Sequence, residues 1–339
     1  MLKVAHLARM AIGVAACRFL GARRPLNVML AVTNRCTGHC RYCDIPVRSG
    51  PDMPLADVCR LIDEAAAAGA VRLGLWGGEP LIREDIGRIV SRAKARGMYV
   101  TLDSNGSLWR ERESEMGDLD HVIFGVDGRE ENHDANRGKG SFRKVMEAVE
   151  AASARPGLAV WTITVLNRLN LGDIDYLLDL ADRHRVRCTF QILHHNEYLG
   201  RNHDALMPSN DEYRAAFRLL LARKRAGARI GSSARYLEFM ARWPDYRVST
   251  AARAVGGGPP CRAGRCYCNI DADGRVYACS LLIGKVRALN ALESGFEAAF
   301  HAIPDLPCGA CTAGCFTEYN HIYNLDPWCV WDWVKAMRG

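Results

Sequence analysis

The chain has 339 residues, 49% of them hydrophobic, with 45 basic residues against 38 acidic. That length allows roughly two domains of about 150 residues, or one larger barrel, and a net charge of +7, with both signs well mixed, is too small to argue for nucleic acid. Fourteen cysteines are many, yet a chain with this much apolar sequence is not a small disulfide framework; close-set cysteines in such a chain point to metal.

Residues 1–26 read as a basic amphipathic helix. Its apolar run is interrupted by His6 and Arg9 and is too short to span a bilayer. The helix either packs on the domain that follows or lies at a membrane surface with Lys3, Arg9, Arg18, Arg23 and Arg24 toward headgroups. The expectation is a cytoplasmic protein, with peripheral contact at the inner membrane face through residues 1–24 as the second option.

From residue 27 short apolar runs alternate with helical patterns. Strands are predicted at 27–33, 71–77, 98–104, 121–127, 158–166 and 186–193, and helices at 54–69, 82–97, 141–152, 174–184 and 211–225. The helix at 82–97 is acidic at its start and basic at its end, which suits its dipole. Six such units imply a parallel sheet with right-handed crossovers. The expected fold is α/β, a partial (βα)6 TIM-type barrel over 27–225, with a doubly wound open sheet as the alternative. Residues 226–260, ending in GGGPP, read as a connector. Eight of the cysteines fall in 261–339, which reads as a small cysteine-rich domain held by a metal cluster.

In parallel βα folds the loops at the carboxyl ends of the strands build the site. Here those loops carry Cys36, Cys40 and Cys43; then Gly77, Gly78 and Glu79; then Ser104 and Asn105; then Asp127 and Gly128 with HDANRG beyond; then Asn167; then Gln191, His194 and His195. Structural zinc takes four ligands and catalytic zinc three plus water, whereas an iron–sulfur cube held by three thiolates keeps one iron open.

CxxxCxxC after the first strand, with Tyr42 before the last cysteine, resembles the signature of the radical S-adenosylmethionine (radical SAM) enzymes. The resemblance covers roughly residues 27–220. It implies a [4Fe–4S] cluster on Cys36, Cys40 and Cys43, whose open iron chelates the methionine part of SAM, and reductive cleavage of SAM to a 5′-deoxyadenosyl radical. It further implies that Tyr42, Gly77, Gly78, Glu79, Ser104, Asn105, Asp127, Arg137, Asn167 and Gln191 lie at SAM, with Glu79 on its ammonium and Arg137 on its carboxylate. This chain has Gly125-Val126 where many relatives have a serine before the Asp-Gly pair.

The tail resembles the auxiliary-cluster modules called SPASM and twitch. Cys261 and Cys279 with Cys308 and Cys311 match the twitch pattern, one closed auxiliary [4Fe–4S] cluster; Cys266, Cys268, Cys315 and Cys329 are numerically enough for a second. A zinc ribbon is the alternative. Candidate catalytic groups are Cys266 or Cys268, as thiols that return hydrogen to a substrate radical, and His194 or His195, as a proton shuttle.

Three functions compete. The first is hydrogen abstraction from, or adenosyl addition to, a lipid or isoprenoid, as the basic amino end suggests. The second is oxidation or epimerisation of a sugar, aminoglycoside or ribosomal peptide. The third is a non-catalytic iron–sulfur carrier. An enzyme of this kind, an oxidoreductase or transferase, implies an electron donor such as flavodoxin or ferredoxin, and no nucleic acid.

Overall fold

The computed structural model describes residues 4–48, 50–194, 203–253, 255 and 257–338. Helix α1 (Val4–Phe19) precedes strand β1 (Asn27–Thr33). There follow α2 (Leu55–Ala67), β2 (Arg72–Gly77), α3 (Ile86–Ala95), β3 (Tyr99–Ser104) and β4 (His121–Gly125). Next come α4 (Glu130–Arg137), α5 (Ser141–Ser153), β5 (Ala159–Leu166), α6 (Ile174–Arg183) and β6 (Arg187–Ile192). Helices α7 (Asn210–Arg225) and α8 (Ala234–Met240), strands β7 (Tyr267–Ile270) and β8 (Val276–Tyr277), and helices α9 (Gly314–Tyr323) and α10 (Pro327–Arg338) complete the main elements.

Periodicity explains the layers. Val58, Leu61, Ile62 and Ala65 make one buried stripe on α2, and Ile86, Ile89, Val90 and Ala93 another on α3. The outward strand faces are apolar because helices cover them, whereas the face toward the barrel interior also carries polar residues. Ser209 and Glu212 form a reciprocal capping box that starts α7.

Strands β1 to β6 pair in parallel, each with its sequence neighbour. This is the expected partial barrel. The sheet then continues past β1, in the order β6-β5-β4-β3-β2-β1-β7-β8. Strand β7 runs parallel to β1, with Asn27 opposite Tyr267 and Leu30 opposite Ile270. The cysteine-rich segment, expected to stand apart from residue 261, therefore supplies the barrel sheet with its next strand. Residues 226–260, expected as a connector, carry α8, whose Tyr236, Leu237, Phe239 and Met240 are buried.

Helix α1 packs on the barrel through Val14 and Cys17. Two of the basic residues offered to lipid headgroups are engaged with the protein instead. Arg9 donates to the carbonyls of Gly97 (3.0 Å) and Ala70 (3.2 Å). Arg23 donates to those of Gly264 (3.0 Å), His301 (3.0 Å), Phe300 (3.2 Å) and Ile303 (3.3 Å). No helix among the described residues is long and apolar enough to cross a membrane.

Candidate active site

The loop after β1 gathers three thiols. The Cys43 amide donates to the Cys40 carbonyl at 3.2 Å, closing a turn, and the Gly38 amide donates to Cys36 Sγ at 3.3 Å. A Cβ built on Gly38 would stand 3.7 Å from Cys36 Sγ and 3.8 Å from Cys40 Sγ, so these two thiols converge. Burial pushes the Cys43 thiol up to about 11, and Cys40 and Cys36 nearby push the same way. Three crowded soft donors at the mouth of a barrel suit an iron–sulfur cluster, whose binding displaces the thiol protons. Two clamps hold the loop: Arg35 and Thr33 bind Asp52, the hydroxyl at 2.6 Å, and Arg48 pairs with buried Asp271 just past β7.

The Gly-Gly-Glu loop after β2 packs against that cysteine loop. A Cβ on Gly77, which sits at φ +138°, would come within 2.2 Å of the Thr33 carbonyl oxygen; one on Gly78 would come within 2.1 Å of that of Arg35. The glycines serve a close approach of backbone to the chain itself. Glu79 is fully buried and accepts from the Leu81 amide (3.0 Å), the Ser104 hydroxyl (2.9 Å) and the Asn105 amide (2.7 Å). Burial pushes it up to about 7. Glu79 thus braces the β2 loop to the β3 loop. Asn105 Nδ2 reaches Cys36 Sγ at 3.6 Å and Thr37 Oγ1 at 3.1 Å.

Tyr42, Asp127 and Arg137, expected at SAM, bond to one another. Asp127 is fully buried; its Oδ2 accepts from Tyr42 Oη (2.6 Å) and Arg137 Nε (2.7 Å), and its Oδ1 from the Val165 amide (3.0 Å). Burial pushes the Asp127 carboxyl up, but the Arg137 guanidinium and the hydrogen bonds outweigh it and hold the group below the usual range. Asn167 is used locally: its Oδ1 accepts from the Leu169 amide and its Nδ2 donates to the Val165 carbonyl.

Strand alternation turns Arg72, Trp76, Asp103, Ile123, Ile163 and Gln191 inward, where they line a cavity of about 360 Å³. Helix α9 closes one wall with Cys315, Phe316 and Tyr319, and Met10 of α1 reaches it too. His194 also lines it, with Nδ1 3.3 Å from Thr312 Oγ1; His195 lies outside the described residues. Sequence reasoning passed over Arg72, Asp103 and Tyr319. Polar residues alternating within the otherwise apolar third strand, Thr101 and Asp103, were the available signal.

The tail cysteines divide. Cys261 sits close enough to Cys279, Cys308 and Cys311 to raise all three electrostatically; burial is the larger cause and pushes Cys308 to about 11 and Cys311 to about 12. The other four do not gather. Cys266 hydrogen-bonds Cys17 of α1, Cys268 is fully buried on β7, and Cys329 Sγ meets Ser233 Oγ at 3.2 Å. Cys315 opens into the barrel cavity. Cys329 lines that cavity as well, so two of these four thiols face one space. Cys266 and Cys268 do not line the cavity.

A sequence model of the radical SAM superfamily matches residues 30–181. The PqqA peptide cyclase of Bradyrhizobium diazoefficiens is 30% identical over 266 residues, which is 75% of this chain and 66% of that protein. That of Xanthomonas euvesicatoria pv. vesicatoria is 30% identical over 270 residues, 75% of this chain and 68% of that protein. The chain thus spans about two thirds of the length of these curated relatives. Among solved structures, Streptococcus suis SuiB bound to S-adenosylmethionine aligns with a TM-score of 0.67 at 15% identity, covering 87% of this chain and 70% of that one. The structure of anSMEcpe with bound AdoMet aligns with a TM-score of 0.63 at 15% identity, covering 90% and 98%. At such identities the likeness is one of fold. Together with the three-thiol loop at the barrel mouth, these matches place the chain in the radical SAM superfamily, as an enzyme that uses a [4Fe–4S] cluster and S-adenosylmethionine.

Proposed function

We propose that this radical SAM enzyme oxidises a side chain of a peptide substrate, with Cys36, Cys40 and Cys43 holding the SAM-binding cluster and Cys261, Cys279, Cys308 and Cys311 one auxiliary cluster. The observation that carries the reading is the placement of the second thiol group. Cys311 stands two residues before Ala313, where the wall of the barrel cavity begins. The names of the curated relatives supply the peptide. The lipid reading leaned on basic residues of the amino end, and Arg9 and Arg23 are spent on protein carbonyls.

When bound, these groups supply one-electron cleavage of SAM, hydrogen-atom abstraction from the substrate and an acceptor for the electron left behind. The chain's own contribution is positioning. Asn105 donates toward Cys36 Sγ, a contact of the kind that tunes a cluster thiolate. Glu79 and Asp127 lock the loops around the three thiols. Apolar walls keep water from the substrate carbon, and His194 at the cavity wall takes the proton that the oxidised substrate releases.

The test is anaerobic reconstitution with dithionite and SAM, followed by addition of a panel of synthetic short peptides that between them carry every side-chain type. The expected result is 5′-deoxyadenosine, none with Cys40→Ala, and a peptide lighter by two hydrogen atoms. Abundant 5′-deoxyadenosine with every such peptide unchanged would discard the peptide.

A second reading, epimerisation, is favoured by one observation: the Cys315 thiol opens into the cavity, where it can return a hydrogen atom to a substrate radical. Product made in D2O would then have exchanged the abstracted hydrogen for one deuterium, with no other change in mass, and Cys315→Ser would abolish that product while leaving SAM cleavage.

A further inference from the structure

Asp103 is the one inward residue of the β3 carboxyl end, and its neighbours in register are apolar. It stands opposite Ile123 of β4, and Ile123 stands opposite Trp161 of β5. On the other side the β2–β3 register, with Leu75 opposite Leu102, brings Trp76 alongside it. All four line the cavity.

The carboxylate has no hydrogen bond or ion pair among the described residues. The nearest cation reaches it only through space: Arg72 draws the Asp103 carboxyl down against the larger effect of burial, while its own hydrogen bonds go to Asn27 Oδ1 (3.0 Å), Thr101 Oγ1 (2.9 Å) and the Tyr319 hydroxyl, all neutral. Other buried carboxylates in the barrel are fully provided for, Glu79 with three donors and Asp127 with Arg137, Tyr42 and a backbone amide. A carboxylate set among tryptophan and isoleucine side chains with no hydrogen-bond donor of its own is costly, and the through-space pull of Arg72 offsets only part of that cost. Burial accordingly pushes Asp103 up to about 6. Trp76 beside it offers an indole face that also favours a cation.

We propose that Asp103 is the substrate anchor of the barrel and receives an organic cation, a protonated amine or guanidinium, seated against Trp76. Within the proposed peptide function this makes a lysine or arginine side chain the group drawn into the cavity; an amino sugar or a free alkylamine would present the same chemistry. The cation lies beside Cys315, which is close enough to Asp103 to interact with it electrostatically, so its arrival shields that thiol.

The experiment uses the anaerobically reconstituted holoenzyme and reads the rate of Cys315 alkylation by N-ethylmaleimide, mapped by peptide mass spectrometry. The probes are Ac-Gly-Lys-Gly-amide, hexylamine and kanamycin, each against a neutral counterpart: Ac-Gly-norleucine-Gly-amide, hexanol and glucose. At least one cationic probe is expected to slow alkylation about tenfold more than its neutral counterpart. Asp103→Asn abolishes that difference and Asp103→Glu retains most of it. Strongest protection by the lysine tripeptide identifies a peptide source; strongest protection by hexylamine or kanamycin identifies a small amine. Equal protection by neutral and cationic probes, or an unchanged preference in Asp103→Asn, overturns the anchor. SAM cleavage by dithionite in the same preparation reports the catalytic reading separately: cleavage without cation preference sinks only the anchor, and cation preference without cleavage sinks only the enzyme.

Discussion

Arg137 fills the space that a side chain at position 125 would need: a Cβ on Gly125 would stand 2.5 Å from both Nη1 and Nη2 of the guanidinium. Gly125 is therefore matched to this arginine, and Arg137 in turn holds Asp127 at 2.7 Å. Gly125→Ser is expected to cost ~1–3 kcal/mol, the usual range for overpacking. Denaturant unfolding of Gly125→Ser, Arg137→Lys and the double variant checks it; the double variant should be less destabilised than the sum of the two.

Iron counting separates the tail cysteines. With one cube at each four-iron site, the reconstituted chain should hold about eight irons. Cys279→Ser or Cys311→Ser should lower that to about four, whereas Cys315→Ser and Cys329→Ser should leave it unchanged. A drop of about four irons in Cys329→Ser would place a cluster that the dispersal of Cys266, Cys268, Cys315 and Cys329 does not provide for.

Glu318 carries a pH signature. Burial pushes it up to about 7, although it accepts from the Ser233 amide at 2.6 Å. Because the folded value lies above the ordinary one, the folded chain keeps a proton that the unfolded chain releases, and stability falls as pH rises through about 4.5 to 7. Gln keeps the acceptor and loses the charge. Glu318→Gln should gain on the parent as pH rises from about 5 to about 8, approaching ~3 kcal/mol. Parallel denaturant titrations at the two ends of that window give the comparison; a constant difference contradicts it.

Arg23 joins the start of β1 to the carboxyl-terminal third through four carbonyls and lies over the Phe300 ring at 5.6 Å. Arg23→Ala should cost ~2 kcal/mol, for buried acceptors stripped of a charged donor. Thermal unfolding at fixed pH measures it. The same variant should bind anionic vesicles no more weakly than the parent, since this arginine faces protein.

Much of the fold was legible because its signals are local. β1 falls where five apolar residues, Val28 to Val32, precede the cysteines, and Thr33 ends it. The cysteine loop, GGE and the Asp127 loop were recognisable by their resemblance to the motifs of a known family. What they touch was not. Glu79 and Arg137 look like ligand-binding groups in one dimension, and only the packed barrel reveals Ser104, Asn105 and Asp127 as their partners. The pairing of β7 with β1 joins residues some 240 positions apart, as Asn27 and Tyr267 are, and no periodicity encodes such a contact. Asp103 hid inside a strand, where an apolar neighbourhood made it look like a lapse in the pattern.

That long-range pairing bears on how the protein can be taken apart. Strand β1 presents its main chain to β2 on one side and to β7 on the other. A fragment stopped after α6, however complete its cysteine loop, would leave one row of amides and carbonyls on β1 open to whatever strand came by. Grafting a different auxiliary module onto this barrel would have to supply a replacement for Tyr267–Ile270 in the same direction and register. The piece that carries the distant cysteines is also a stave of the barrel that houses the near ones.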